Sequence, residues 1–275
     1  MSKVWRLLWA RGLTRLALLG LLLVLLTITL GSVVSPHVAD FIDFEADWGA
    51  APTWLNQHWF GTDSLGRDLF ARTAAGGRTS ILVALAATLV SVGVGVAYGA
   101  FAGYLGGRVD ALMMRTVDVL YALPFMFIVI LLMVAFGRQV WLVFVAIGLV
   151  NWLDMARIVR GQALSLRERG YVQSARLNGV STPRIIWRHI VPGLVAPAVA
   201  VATLTIPQVI LIESFLSFLG LGIQEPMTSW GVLISDGARD MEITPWALAF
   251  PAGFLVVTLL CLNLLGDALR EALEA

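Results

Sequence analysis

Lysine is all but missing: Lys3 is the only one in 275 residues. A phosphate-binding loop of the Gly-Lys-Ser/Thr kind sets a lysine against the nucleotide phosphates, so ATP hydrolysis by this chain alone is excluded. Cysteine is as scarce. Cys261 stands alone in an apolar run, which excludes a disulfide framework and leaves the redox compartment unreadable. Charge is thin too, at 13% of residues against about 25% in soluble proteins. A net charge of +1 gives no basis for binding nucleic acid. His37, His58 and His189 are scattered without metal-ligand spacing, so no metal site is read. His-Glu-x-x-His and Gly-x-Ser-x-Gly are both absent, so no protease or hydrolase chemistry is visible. No repeat of about 20–50 residues occurs.

What is present is apolar residue, 59% of the chain, gathered in long runs. A membrane-crossing helix needs about 20 such residues. Leu16–Pro36, Thr79–Gly107, Val119–Gly137, Ile190–Ile212 and Ile243–Gly266 meet or approach that length, and Gln139–Leu153 makes a sixth if it continues to about Val159. That continuation requires Asp154 and Arg157 to neutralise one another at i,i+3. The first run is longer than a signal-peptide core and no Ala-x-Ala site follows promptly, so it is expected to be a retained helix. The fold class is therefore all-α and membrane-embedded, with six transmembrane helices and both termini on one side.

The arginines set the direction. A cytoplasmic N-terminus places Lys3, Arg6, Arg11, Arg15, Arg108, Arg115, Arg157, Arg160, Arg167, Arg169, Arg176, Arg184, Arg188 and Arg270 inside, and only Arg67, Arg72, Arg78, Arg138 and Arg239 outside. Basic residues favour cytoplasmic loops, so both termini are expected there. The outer segments are then Ser35–Arg78 and Leu221–Thr244. Trp48, Trp54 and Trp59 suit the membrane–water boundary. Asp43, Glu45 and Asp47 alternate along one outer stretch and are expected to be a solvated acidic loop.

Between the hydrophobic runs lies a polar insert, Arg167–Pro192, with room for two short helices. Glu168–Asn178 holds no breaker after Gly170, and Gly179 stands where a helix end favours positive φ. Ser181-Thr182-Pro183 supplies a hydroxyl N-cap and an early proline, followed by the apolar stripe Ile185, Ile186 and Ile190. Such a knob at a cytoplasmic membrane surface suits docking of a soluble partner.

Within the spans, Ser91, Gly95, Gly99 and Gly103 recur every four residues, a small-residue stripe that admits another helix closely. A subunit interface and packing within the chain are both open readings. Pro124, Pro197, Pro207 and Pro251 loosen their helices, and broken helices line some transport pathways; ordinary membrane-helix prolines are the other reading. Glu213 falls near the outer end of the fifth span. It either faces a pathway or external partner or is an interfacial carboxylate. Arg115 and Asp118 are expected to form a local pair.

Several motifs together carry a family resemblance from about His58 to Leu273. They are Trp59-Phe60-Gly61-Thr62-Asp63-Ser64-Leu65-Gly66-Arg67-Asp68, Gly103-Tyr104-Leu105-Gly106-Gly107, Trp152-Leu153-Asp154-Met155-Ala156-Arg157 and Ser214-Phe215-Leu216-Ser217-Phe218-Leu219-Gly220-Leu221-Gly222. Gln224-Glu225-Pro226, Ser229-Trp230-Gly231, Phe250-Pro251-Ala252-Gly253-Phe254 and Leu265-Gly266-Asp267 complete them. The chain resembles the C-type permease subunits of oligopeptide ABC importers, in the dipeptide/oligopeptide/nickel permease family.

The resemblance implies a type I ABC importer permease fold with an N-terminal cytoplasmic segment and first helix at 1–36, a periplasmic loop at 37–78, and a core at 79–273. It also implies an ATPase-coupling loop at 167–192, in which Gln173-Ser174-Ala175, Gly179 and Pro192 occupy the family's Glu-Ala-Ala, glycine and proline places. Arg176, Leu177 and Pro183 lie in the same loop. Gln173 and Ser174 depart from the family pattern and drop a negative charge. The family's Asp-Pro after the final leucine is replaced by Glu274 and Ala275.

The implied function is the non-catalytic pore subunit of an oligopeptide importer in the bacterial inner membrane. The implied partners are a homologous second permease, two cytoplasmic ATPase subunits that carry ATP and magnesium, a periplasmic or lipid-anchored peptide-binding protein, and the lipid bilayer. No cofactor is expected on this chain. The alternatives are nickel or metal-chelate cargo and, outside the family, an ATP-independent channel.

Overall fold

The computed structural model describes residues 12–42, 48–54, 57–137 and 139–274. Asp43, Glu45 and Asp47, with Lys3, Arg6, Arg11 and Arg138, lie outside them. Among the described residues the regular structure is helical apart from two isolated bridges, Ile42 with Arg67 and Thr62 with Asp68. The helices are α1 Gly12–Val34, α2 Leu69–Leu105, α3 Gly107–Tyr121, α4 Phe125–Phe136, α5 Val140–Arg167, α6 Gly170–Leu177 and α7 Thr182–Ile185. A π-helical turn, Ile186–Ile190, leads into α8 Val191–Phe218, followed by α9 Trp230–Arg239 and α10 Pro245–Glu274.

Among the described residues, four helical stretches are long and apolar enough to cross a membrane: Gly12–Gly31, Leu69–Leu105, Thr182–Phe218 and Pro245–Ala272. A fifth arises if α3 and α4, bent by 79° at their junction, count as one span. The bend falls at Leu123-Pro124, where the ring pushes the preceding residue out of helical geometry. The third span thus starts earlier than Val119 and is broken, with Pro124 at the N-cap of α4. α5 is not among these stretches; its second half carries Asp154, Arg157, Arg160 and Arg167.

α2 also starts earlier than expected. The segment read as loop up to Arg78 is helical from Leu69, because Asp68 caps it by accepting a hydrogen bond from Ala71 N at 2.8 Å. α2 packs most heavily on α5 along the small-residue stripe. A Cβ on Gly95 would sit 2.6 Å from Met155 Cβ, one on Gly99 2.5 Å from the Ala156 carbonyl, and one on Gly103 2.6 Å from the Arg160 carbonyl. The stripe is filled from within the chain.

At the other end of the bundle, α9 tucks Trp230 completely into the core, with its Nε1 donating to the Thr73 carbonyl at 3.0 Å. Gly76 and Gly77 make the room: a Cβ on Gly77 would lie 2.5 Å from the Trp230 ring. The loop before α2 is tied down by polar bonds. Asp63 accepts from Leu65 N and Arg67 N, each at 2.9 Å, and from Arg67 Nε at 2.7 Å. Arg67 Nη1 then donates to Glu225 at 2.8 Å, joining this loop to the segment between α8 and α9. Phe60 stacks on Phe250 of α10 with ring centres 3.9 Å apart. Trp59 packs edge-on against Phe70, while Trp48 and Trp54 are exposed.

Candidate coupling knob and polar cleft

Two features distinguish the surface: the folded insert between α5 and α8, and an open polar cleft beside it.

The insert is a helical hairpin. α6 ends at Leu177, and Gly179 takes φ +75°, with its N–H donating to the Arg176 carbonyl at 3.1 Å and the Val180 N–H to Ala175 at 3.1 Å. These close the last turn of α6 as a left-handed cap does. Ser181 is extended before α7, as an N-cap residue should be, but its hydroxyl makes no capping bond, and the helix starts at Thr182 with Pro183 next. α7 does not stop: it runs through the π turn into α8. Pro192, which has no N–H for a helical bond, sits just beyond that turn, where an expanded ladder relieves the loss.

Val172, Ile185, Ile186 and Ile190 are buried and join Tyr104, Met155, Val159, Ala163 and Leu194 in one apolar cluster, so the knob is welded to α2, α5 and α8. The outer side of the knob is open. Leu177 is 88% exposed and Tyr171 half exposed, while Gln173 reaches back to the Glu168 carbonyl at 3.3 Å. A pocket of about 540 Å³ lies between Tyr104, Leu105, Glu168, Gln173, Arg176 and Leu177. Leu177 and Tyr171 are thus exposed apolar side chains on a folded, arginine-rich hairpin.

The cleft, about 610 Å³, runs between α5, α8 and the end of α10. Asn151, Asp154, Arg157, Ile158 and Gln162 line it from α5. Pro197, Val201, Thr205 and Gln208 line it from α8, and Arg270 from α10. Both sets follow helical spacing over eleven residues, a path of about 16 Å at 1.5 Å per residue. α5 runs toward the knob and α8 away from it, so Gln162 and Pro197 mark the knob end and Asn151 and Gln208 the far end. The knob therefore sits at the base of the two helices that wall the cleft.

Other residues singled out from sequence fall elsewhere. Glu213 faces no cleft: it is fully buried and accepts hydrogen bonds from Ser80 Oγ at 2.8 Å and Ser217 Oγ at 2.7 Å. Pro207 is buried in α8, and Pro124 marks the α3–α4 break. Asp154 and Arg157 do not pair with each other, nor do Arg115 and Asp118. Arg157 Nη2 instead donates to Asp118 at 2.8 Å, and Tyr121 Oη donates to Asp154 at 3.1 Å. At i,i+3 on one helix the short Asp154 side chain is outcompeted by partners arriving from α3. The cleft residues Asn151, Gln162 and Gln208 were not picked out from sequence, although their shared helical face was a usable signal.

At the opposite end, Asp63, Arg67, Glu225, Asp236 and Arg239 line a smaller charged pocket of about 300 Å³. The hydrogen bond from Arg67 holds the Glu225 carboxyl below its ordinary range, whereas burial raises that of Asp236.

This geometry agrees with what the chain resembles. Residues 95–275 match the family described as "binding-protein-dependent transport system inner membrane component". The chain belongs to that family. The matched region starts within α2 and takes in the whole knob and cleft. Among relatives, the oligopeptide transport system permease protein OppC of Escherichia coli (strain K12) is 52% identical over 256 residues, covering 92% of this chain and 85% of the relative. The protein of the same description from Bacillus subtilis (strain 168) is 40% identical over 262 residues, covering 94% and 85%. The dipeptide transport system permease protein DppC of Bacillus subtilis (strain 168) is 42% identical over 271 residues, covering 98% and 84%. This inner-membrane component is accordingly a multi-pass protein of the bacterial inner membrane.

Proposed function

We propose that this chain forms one half of the pore of an ATP-driven oligopeptide importer and carries no catalytic site itself. The observation that carries the proposal is the continuity of the knob with α5 and α8, the two helices that wall the cleft. A push on the knob moves both walls. The similarity to oligopeptide and dipeptide permeases supports peptide as the cargo.

In this reading α5 is the sixth crossing and both termini lie in the cytoplasm, so the knob faces two cytoplasmic ATPase subunits. A homologous permease supplies the other half of the pore, and an extracytoplasmic binding protein delivers the peptide to the loop side. ATP and magnesium bind the ATPase subunits. Their closure on ATP presses on Tyr171, Leu177 and the α6 face around Gln173, Ser174, Ala175 and Arg176. The apolar weld at Ile185, Ile186 and Ile190 passes that motion to α5 and α8, and the cleft exchanges its inward opening for an outward one. This requires a rigid lever joined to bistable helix packing.

The test is uptake by the reconstituted importer in proteoliposomes. ATP-dependent accumulation of labelled oligopeptide is expected, with labelled nickel or its chelates left outside. Metal uptake in place of peptide, or flux indifferent to ATP depletion, would contradict the proposal.

A further inference from the structure

α3 is held to the bundle in an unusual way. Of its fifteen residues, only Asp110 and Val117 are buried. Val117 packs on Trp152, Leu153 and Ala156 of α5. Met114 and Leu120 of α3 pack, partly buried, against the same cluster, and a ladder of three polar rungs adds to that hold. Arg160 grips Asp110 with Nε at 2.5 Å and Nη2 at 2.6 Å, Arg157 donates to Asp118 at 2.8 Å, and Tyr121 donates to Asp154 at 3.1 Å.

The rungs differ in access. Asp110 is nearly covered, at 9% side-chain exposure, whereas Arg157 and Asp118 are 44% and 51% exposed. Arg157 also stacks over the Tyr121 ring at 4.7 Å, so it ties two rungs together. Arg157 and Asp154 at the same time line the cleft. One guanidinium thus serves two surfaces: the rung that pins α3 and the wall that meets whatever enters the cleft.

The geometry points to Arg157 as a cargo sensor: a carboxylate in the cleft, such as a peptide C-terminus, takes Arg157 from Asp118 and loosens the C-terminal half of α3 on α5. This rests on the peptide-importer reading above. A guanidinium binds a carboxylate through two parallel N–H donors, and a half-exposed pair is weak enough for a second carboxylate to compete. Releasing this rung and the Tyr121–Asp154 rung beside it, with Asp110 still clamped, lets α3 swing about its N-terminal end and carry the Pro124 bend and α4 with it. Asp154 offers a neighbouring acceptor, so a ligand that also displaces Tyr121 opens the second rung.

The test uses the complete importer in proteoliposomes, with binding protein, and compares ATPase stimulation by a peptide acid and by its C-terminal amide. The binding protein's own preference is common to all variants and cancels when acid-to-amide ratios are compared. Arg157→Gln should lower that ratio about threefold relative to the parent, and Arg157→Lys should restore part of it. Asp118→Asn, which removes the rung and keeps the shape, should raise ATPase activity in the absence of peptide. An unchanged ratio in Arg157→Gln, or an unchanged basal rate in Asp118→Asn, would overturn the inference while leaving peptide transport intact. If neither peptide stimulates the parent importer, the peptide reading falls and the inference with it.

Discussion

Glu213 and Ser80 meet in the core, the serine hydroxyl donating to the carboxylate at 2.8 Å, and the same Ser80 oxygen accepts from Trp230 N at 3.3 Å. Through this pair, α8, α2 and α9 are held at one point where no residue of the cluster is solvent-exposed. No cation bonds Glu213 among the described residues; its other oxygen accepts from Ser217.

Glu213→Gln should therefore fold, because an amide of the same shape still accepts from one serine. Glu213→Leu leaves the Ser80 and Ser217 hydroxyls without their acceptor and should cost about 1–3 kcal/mol. Thermal unfolding of the detergent-solubilised variants separates the two; equal loss in both would remove the hydrogen-bonding account of this site.

The stripe on α2 gives a graded series. Gly99→Leu drives a side chain into the Ala156 carbonyl, 2.5 Å from an ideal Cβ, and should destabilise by about 1–3 kcal/mol through overpacking. Gly93, six residues earlier, has nothing within 4 Å of a built Cβ. Gly93→Ala should be neutral or stabilise by about 0.5–1 kcal/mol through helix propensity. Unfolding curves should show a loss of stability in Gly99→Leu and none in Gly93→Ala.

Gly179 ends α6 and turns the chain toward α7. At φ +75° with open space around it, a side chain there meets no neighbour but strains the backbone by roughly 1–2 kcal/mol. Gly179→Val should leave the importer assembled and hydrolysing ATP while peptide uptake per ATP falls. Normal uptake at a normal hydrolysis rate would show that the knob is not the lever.

The Arg67–Glu225 bond makes the loop side acid-sensitive. Hydrogen bonding from Arg67 lowers the Glu225 carboxyl from its ordinary 4.5. A depressed carboxyl stabilises the fold at pH above its unfolded value, and that contribution is lost as pH falls through the lower folded value. The unfolding temperature should thus drop on acidification below about pH 4.5, and the drop should be shallower in Glu225→Gln. Identical slopes would exclude the ion pair as the cause.

Much of this was legible in the chain. The helix-stop glycine at Gly179 and the apolar stripe of Ile185, Ile186 and Ile190 are local patterns whose physics acts over a few residues, and both took their expected form; the small-residue stripe on α2 was equally local, but which helix fills it was not. The Pro124 break was visible as a proline, but its 79° consequence was not. What remained hidden was pairing across helices. Asp154, Arg157, Arg115 and Asp118 each had a neighbour in sequence that looked adequate, and tertiary packing brought Asp118 and Tyr121 of α3 to α5 instead. Glu213 was misplaced for the same reason: its position along a helix said how deep it lay, not which face it was on. The cleft escaped notice because its polar residues are single letters spread over two helices and acquire meaning only when those helices face each other.

The most direct test of the account is the side of the membrane on which the knob lies. In a Cys261→Ser background, Leu177→Cys, at a position 88% exposed, is labelled with a membrane-impermeant maleimide in inside-out and right-side-out vesicles, beside Trp54→Cys at a position 85% exposed. Labelling of the knob from the cytoplasmic face, blocked when the ATPase subunits are bound, with the Trp54 position labelled from the opposite face, is the predicted result. Labelling of position 177 from outside the cell would contradict it.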